Sequence, residues 1–121
     1  MTYLRREPNQ QRGVEAERRA CRYLEARGLK LLTQNYRCRM GEIDLVMGDA
    51  DTIVFVEVRL RARHALVSAA ESIDARKQSR IIAAAHHFLM GKPDAPCRFD
   101  CVLMCGDEAD DIEWLKSAFT L

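Results

Sequence analysis

The sequence has no C-x-x-C pair, and its five cysteines are an odd number. That usage fits a reduced, soluble, cytoplasmic protein better than a disulfide-stapled one. It also lacks any run near the roughly 20 apolar residues that a membrane-spanning helix needs, so no membrane partner is expected. The first thirty residues carry Arg5, Arg6, Arg12, Arg18, Arg19 and Arg22 without a continuous apolar block, so no secretory signal is expected either. Glycine and proline are few, at 6 and 3, and no tract of them forms a linker. No internal repeat or low-complexity segment divides the chain. Its 121 residues therefore read as a flexible polar arm at residues 1–10 and a single domain over residues 11–121. At 48% hydrophobic and 31% charged it is not disordered by composition. A chain of this length buries a core without disulfide or metal staples.

A net charge of one sign is nearly absent too, at +1, but the balance conceals a partition. Residues 1–30 hold eight Lys/Arg against four Asp/Glu, and residues 58–92 hold seven against two. Between them, residues 31–57 hold two against five, and residues 93–121 again hold two against seven. Of the 19 basic residues 15 are arginine, the side chain suited to bidentate phosphate contacts. A solvated helix face and a general preference for arginine explain the same pattern.

The apolar periodicity predicts a helix over Gln11 to Arg27, with Val14, Ala20, Cys21 and Leu24 on one stripe and Gly28 as its stop. Glu17 lies on that stripe and so points toward the core. Strands are predicted at Leu29 to Tyr36, Glu42 to Met47 and Thr52 to Leu60, with Gly48-Asp49-Ala50-Asp51 as a hairpin turn. The third strand is the most apolar and suits the centre of a sheet covered on both faces. It nevertheless contains Glu57 and Arg59, on the same side as Phe55. A long helix is predicted over Ser68 to Met90, with Ile73, Ile81, Ala84 and Phe88 on its buried stripe and Lys77 between them. A strand at Phe99 to Met104 follows, with Asp100 on its opposite face, and residues 111–115 form a last short strand. The fold class expected is α/β, with a mixed central sheet flanked by helices.

Glu17, Asp44 and Glu57 occupy places where an ionised carboxylate is costly to bury. A tight turn makes the second and third strands antiparallel, so Asp44 and Glu57 approach across the ladder. Two close carboxylates repel unless a divalent cation sits between them. Mg²⁺ or Mn²⁺ held by one or two carboxylates plus waters and phosphate oxygens fits this arrangement, and such an ion activates water beside a phosphodiester. Arg59 then points at the scissile phosphate. It is equally a ready partner for either carboxylate, which leaves a buried ion-pair network as the competing reading.

Four ordered segments carry a family resemblance: Gly13-Val14-Glu15-Ala16-Glu17, then Asn35-Tyr36-Arg37-Cys38-Arg39-Met40-Gly41-Glu42-Ile43-Asp44, then Val54-Phe55-Val56-Glu57-Val58-Arg59, then Arg98-Phe99-Asp100. Together with Lys77-Gln78-Ser79-Arg80 they resemble the YraN family of small bacterial proteins, over about residues 11–119. That family is similar to restriction-endonuclease-like (PD-(D/E)xK) nucleases and to archaeal Holliday junction resolvases. The resemblance implies an αβββαβ core and implies that Glu17, Asp44 and Glu57 are catalytic, metal-binding acids. It implies DNA as partner, branched or otherwise structured, and a homodimer where two strands are cut symmetrically. The superfamily lysine falls at residue 59, where this chain has Arg59. Arginine stays protonated; it binds phosphate but accepts no proton. Lys77 is placed to stand in for the lysine. The alternative is a non-catalytic nucleic-acid-binding module that retains the nuclease fold.

Arg37, Arg39, Arg61 and Lys77 are the expected nucleic-acid contacts, among arginines of residues 12–39 and 59–80 that follow the phosphate backbone. Cys97, Cys101 and Cys105 recur every four residues but fall on a strand, so they read as small buried hydrophobes. His86 and His87 point about 100° apart on a helix and do not chelate together. His64 reads as a phosphate contact or a solvated loop residue. Trp114 reads as core, and Glu42 as a support for the acidic site or an edge charge.

Overall fold

The computed structural model describes residues 8–60, 73–105 and 111–120. Helix α1 (Pro8–Glu25) is followed by strands β1 (Lys30–Cys38), β2 (Gly41–Asp49) and β3 (Thr52–Leu60). Helix α2 (Ala75–Leu89) and strands β4 (Cys97–Met104) and β5 (Ile112–Phe119) complete the chain. The five strands lie in sequence order in one sheet, antiparallel except for the β3–β4 pair, which is parallel. The expected αβββαβ order is present, with one full strand added. Helix α1 takes in Pro8, Asn9 and Gln10, which the sequence assigned to the arm.

The two faces of the sheet bury different side chains. Ala16, Ala20 and Leu24 of α1 pack on Leu45, Met47, Val54, Val56 and Val102. Ile81, Ala84 and Ala85 of α2 pack on Val46, Phe55, Phe99, Cys101 and Leu103. Strand β3 lies at the centre and contributes to both cores, as its continuous apolar run requires. Packing of α2 on β2 is close at Gly41, where a Cβ would stand 2.6 Å from the Arg80 carbonyl oxygen. Only glycine admits that approach.

Helix α2 corrects the expected start at Ser68. Asp74 is its N-cap, in extended conformation, and its Oδ1 accepts the Lys77 N–H at 2.7 Å. Ile73 is buried ahead of the helix rather than within it, and residues 68–72 lie outside the described residues. Strand β5 runs to Phe119, beyond the expected end at residue 115, because Phe119 stacks on Phe99 at 4.9 Å.

Candidate metal centre

The sheet is irregular at one place. Rungs Gln34–Leu45 and Tyr36–Ile43 join β1 to β2, and Asn35 and Asp44 between them are left out of the pairing. The β2–β3 ladder runs from Asp49–Thr52 to Leu45–Val56 and stops there, although β3 stays paired with β4 through Leu60. Leu45 and Met47 enter the α1 core while Ile43 and Val46 enter the α2 core, so the alternation along β2 slips at Asp44. In the gap, Asp44 Oδ2 accepts the Val58 N–H at 2.8 Å. A side chain thus satisfies a backbone donor that the ladder abandons.

That gap opens a cavity of about 230 Å³, lined by Gly13, Ala16, Glu17, Asp44, Glu57, Val58, Arg59 and Leu60. The three predicted acids arrive from α1, β2 and β3. Burial pushes Glu17 up to about 7, helped by the neighbouring Asp44 charge and opposed by a hydrogen bond from Asn35. Burial pushes Glu57 up to about 8, with Asp44 adding to the rise and Lys77 and Arg59 opposing it. Asp44 is raised as well, chiefly by burial, against the Val58 hydrogen bond and the Lys77 charge.

Both cations at the site converge on one carboxylate. Lys77 Nζ lies 3.6 Å from Glu57 Oε1, and Arg59 Nη1 lies 3.8 Å from the same oxygen. Lys77 comes from α2 and Arg59 from β3 itself, two residues past Glu57. The Asp74 cap sets where α2 begins and so where Lys77, in its first turn, reaches the sheet.

Other expected contacts stand elsewhere. Arg37 pairs with Glu42 at 3.2 Å on the exposed side of β1 and β2, so Glu42 is an edge charge whose field still reaches Glu17 and Asp44. Arg39 is exposed in the β1–β2 turn, and neither arginine lines the cavity. Arg61 and His64 lie outside the described residues. His86 and His87 are exposed, and His87 Nδ1 is hydrogen-bonded to the Tyr36 hydroxyl. None of the five cysteines is in a disulfide; Cys101 is buried as expected, whereas Cys97 and Cys105 are only half-buried.

Two polar residues with structural work escaped the sequence reading. Asp100 is fully buried and accepts from Arg98 Nε at 3.1 Å, Trp114 Nε1 at 2.9 Å and the Ser117 N–H at 2.9 Å. Arg98 reaches on to Asp49 at 3.1 Å, so one carboxylate links β4, β5 and the β2–β3 hairpin. Trp114 is half-buried against the α1 core, as read. The second residue is Asn35, whose side chain hydrogen-bonds Glu17 from β1. The period-2 pattern assigned these residues to faces but held no signal for their partners.

The segments that build this cavity fall inside a family match. The model of the Uncharacterised protein family UPF0102 covers residues 16–104. The chain belongs to the UPF0102 family. It is 51% identical over 109 residues to a UPF0102 protein of Nitrosomonas europaea, covering 89% of this chain and 92% of that one. A UPF0102 protein of Methylobacillus flagellatus is 51% identical over 110 residues, covering 91% and 97%. One from Pseudomonas putida is 49% identical over 112 residues, covering 88% and 91%. The UPF0102 match takes in Glu17, Asp44, Glu57, Arg59 and Lys77, and ends at β4 ahead of β5.

The donors of this UPF0102 chain suit a hard divalent cation, because all are carboxylate oxygens. Among the described residues no three His, Cys, Asp or Glu side chains converge closely enough to enclose an ion by themselves. That favours an ion held by one or two carboxylates and completed by water and phosphate over a closed structural site. No helix among the described residues is long and apolar enough to cross a membrane.

Proposed function

We propose that this chain is a Mg²⁺- or Mn²⁺-dependent endonuclease acting on structured DNA in the cytoplasm. The observation that carries the reading is the meeting of Glu17, Asp44 and Glu57, from three separate elements, around one cavity with Arg59 and Lys77 at Glu57. A structural ion-pair network needs only as many acids as cations. Here three raised carboxylates face two cations, and the excess negative charge calls for a further positive one.

Asp44 and Glu57 would hold the ion, with Glu17 completing the acidic wall. The bound ion supplies an activated water and neutralises charge developing on the phosphodiester. Asp44 keeps its second task at the Val58 N–H, which fixes its carboxylate against rotation. Arg59 remains protonated and binds phosphate oxygens, while Lys77 adds a compact positive charge from α2. The exposed arginines Arg37 and Arg39 contribute salt-sensitive backbone contacts. A second copy of the chain would present a second site to the opposing strand.

Arg59 supports a second reading, because an arginine at this position accepts no proton: a nucleic-acid-binding module without catalysis. One panel separates the two. A four-way junction, a flap, single strands and duplex are incubated with the chain and with Glu57→Ala and Arg59→Lys, with and without Mn²⁺. Mn²⁺-dependent cleavage lost in Glu57→Ala supports the nuclease. Salt-sensitive binding with no cleavage by the wild type supports the binding module, and cleavage gained only in Arg59→Lys shows that the arginine impairs catalysis.

A further inference from the structure

Asn35 has a backbone no ordinary strand residue adopts. Its φ is 52°, in the left-handed region that asparagine tolerates better than most side chains. It occupies the position across from Asp44 where the β1–β2 pairing lapses. Its side chain is exposed yet hydrogen-bonds Glu17, which projects from α1. A residue in regular β conformation here would continue the ladder toward Asp44. The left-handed turn instead carries the carboxamide out of the ladder to Glu17.

We propose that Asn35 is a positioning residue for the divalent-cation site: its carboxamide N–H donates to Glu17 and holds that carboxylate facing the cavity beside Asp44. The inference rests on the metal-centre reading above and adds to it a residue outside the acid set. Without the tether, Glu17 sits on the exposed flank of α1 among rotamers of similar energy, and repulsion from Asp44 turns it outward. The ion then keeps Asp44 and Glu57 but loses the third acid.

Glycine is the informative replacement, because it accepts the positive φ and removes only the carboxamide. The Asn35 side-chain amide protons in the ion-free wild type should shift in Glu17→Ala, reporting the tether without any metal. Calorimetric titration of Mn²⁺ should then show Asn35→Gly binding about tenfold more weakly or worse, within the roughly 10–100-fold range for partners that orient ligands. Its melting temperature in EDTA should stay within a few degrees of wild type, which a purely structural role would not give. Amide protons insensitive to Glu17→Ala overturn the inference, as does Mn²⁺ affinity unchanged in Asn35→Gly while Asp44→Asn abolishes binding. Wild type that binds no Mn²⁺ overturns the metal-centre reading and Asn35's role with it, a result distinct from the other two.

Discussion

The Asp44 carboxylate accepts the Val58 N–H at 2.8 Å, one step beyond the last β2–β3 rung at Leu45–Val56. That contact explains how two strands part in mid-sheet without stranding a donor. It also places Asp44 beside Glu57 while leaving its other oxygen for the cavity. The acidic site is thus a defect in the sheet that one of its own acids repairs.

The raised carboxyls make stability fall as pH rises. Below about 4.5, the ordinary glutamate value, folded and unfolded chains both hold these protons. Between there and about 7 to 8 the unfolded chain releases protons that folded Glu17 and Glu57 keep, so each step up in pH favours unfolding. Melting scans in EDTA should show the midpoint declining across this window and levelling above it. Saturating Mn²⁺ should raise the midpoint at pH 8 more than at pH 5, because a cation binds the deprotonated acids.

Asp100 is predicted to be the costliest single acid to remove. Asp100→Ala strips acceptors from Arg98, Trp114 and Ser117 at once, in a fully buried setting. Breaking a buried pair by deleting one partner costs about 3–5 kcal/mol. Urea unfolding should show that loss, with the emission of Trp114, the only tryptophan, shifting in the folded state.

How much was legible beforehand is clearest at particular residues. Strand β3 has the bounds read from its apolar run and the turn before it. Glu17, Asp44 and Glu57 stood out because each interrupts a buried pattern, and that signal survives into three dimensions. The start of α2 was misplaced because helical periodicity extends upstream of Asp74, while the cap that ends it is a single local hydrogen bond. Asn35 and Asp100 were missed for a related reason. Their roles depend on a positive φ in one case and on partners 14 and 17 residues away in the other, and neither leaves a periodic trace.

Gly41 offers a test of how α2 delivers Lys77. Gly41→Ala sets a methyl 2.6 Å from the Arg80 carbonyl oxygen, a backbone atom with little room to yield. The helix must shift, at about 1–3 kcal/mol for overpacking. Thermal unfolding should register that cost, and Mn²⁺-dependent cleavage should drop further than stability alone explains, since Lys77 moves away from Glu57.

The central claim is that Asp44 holds a cation for phosphodiester cleavage, and Asp44→Asn addresses it with little structural penalty. Asparagine retains a carbonyl oxygen for the Val58 N–H while losing the charge. The decisive measurement is Mn²⁺-dependent cleavage of an end-labelled four-way junction by the wild type and by Asp44→Asn, with matched melting curves. Cleavage by the wild type and none by a folded Asp44→Asn is the predicted result. Equal cleavage by the two chains, or none by either, would contradict it.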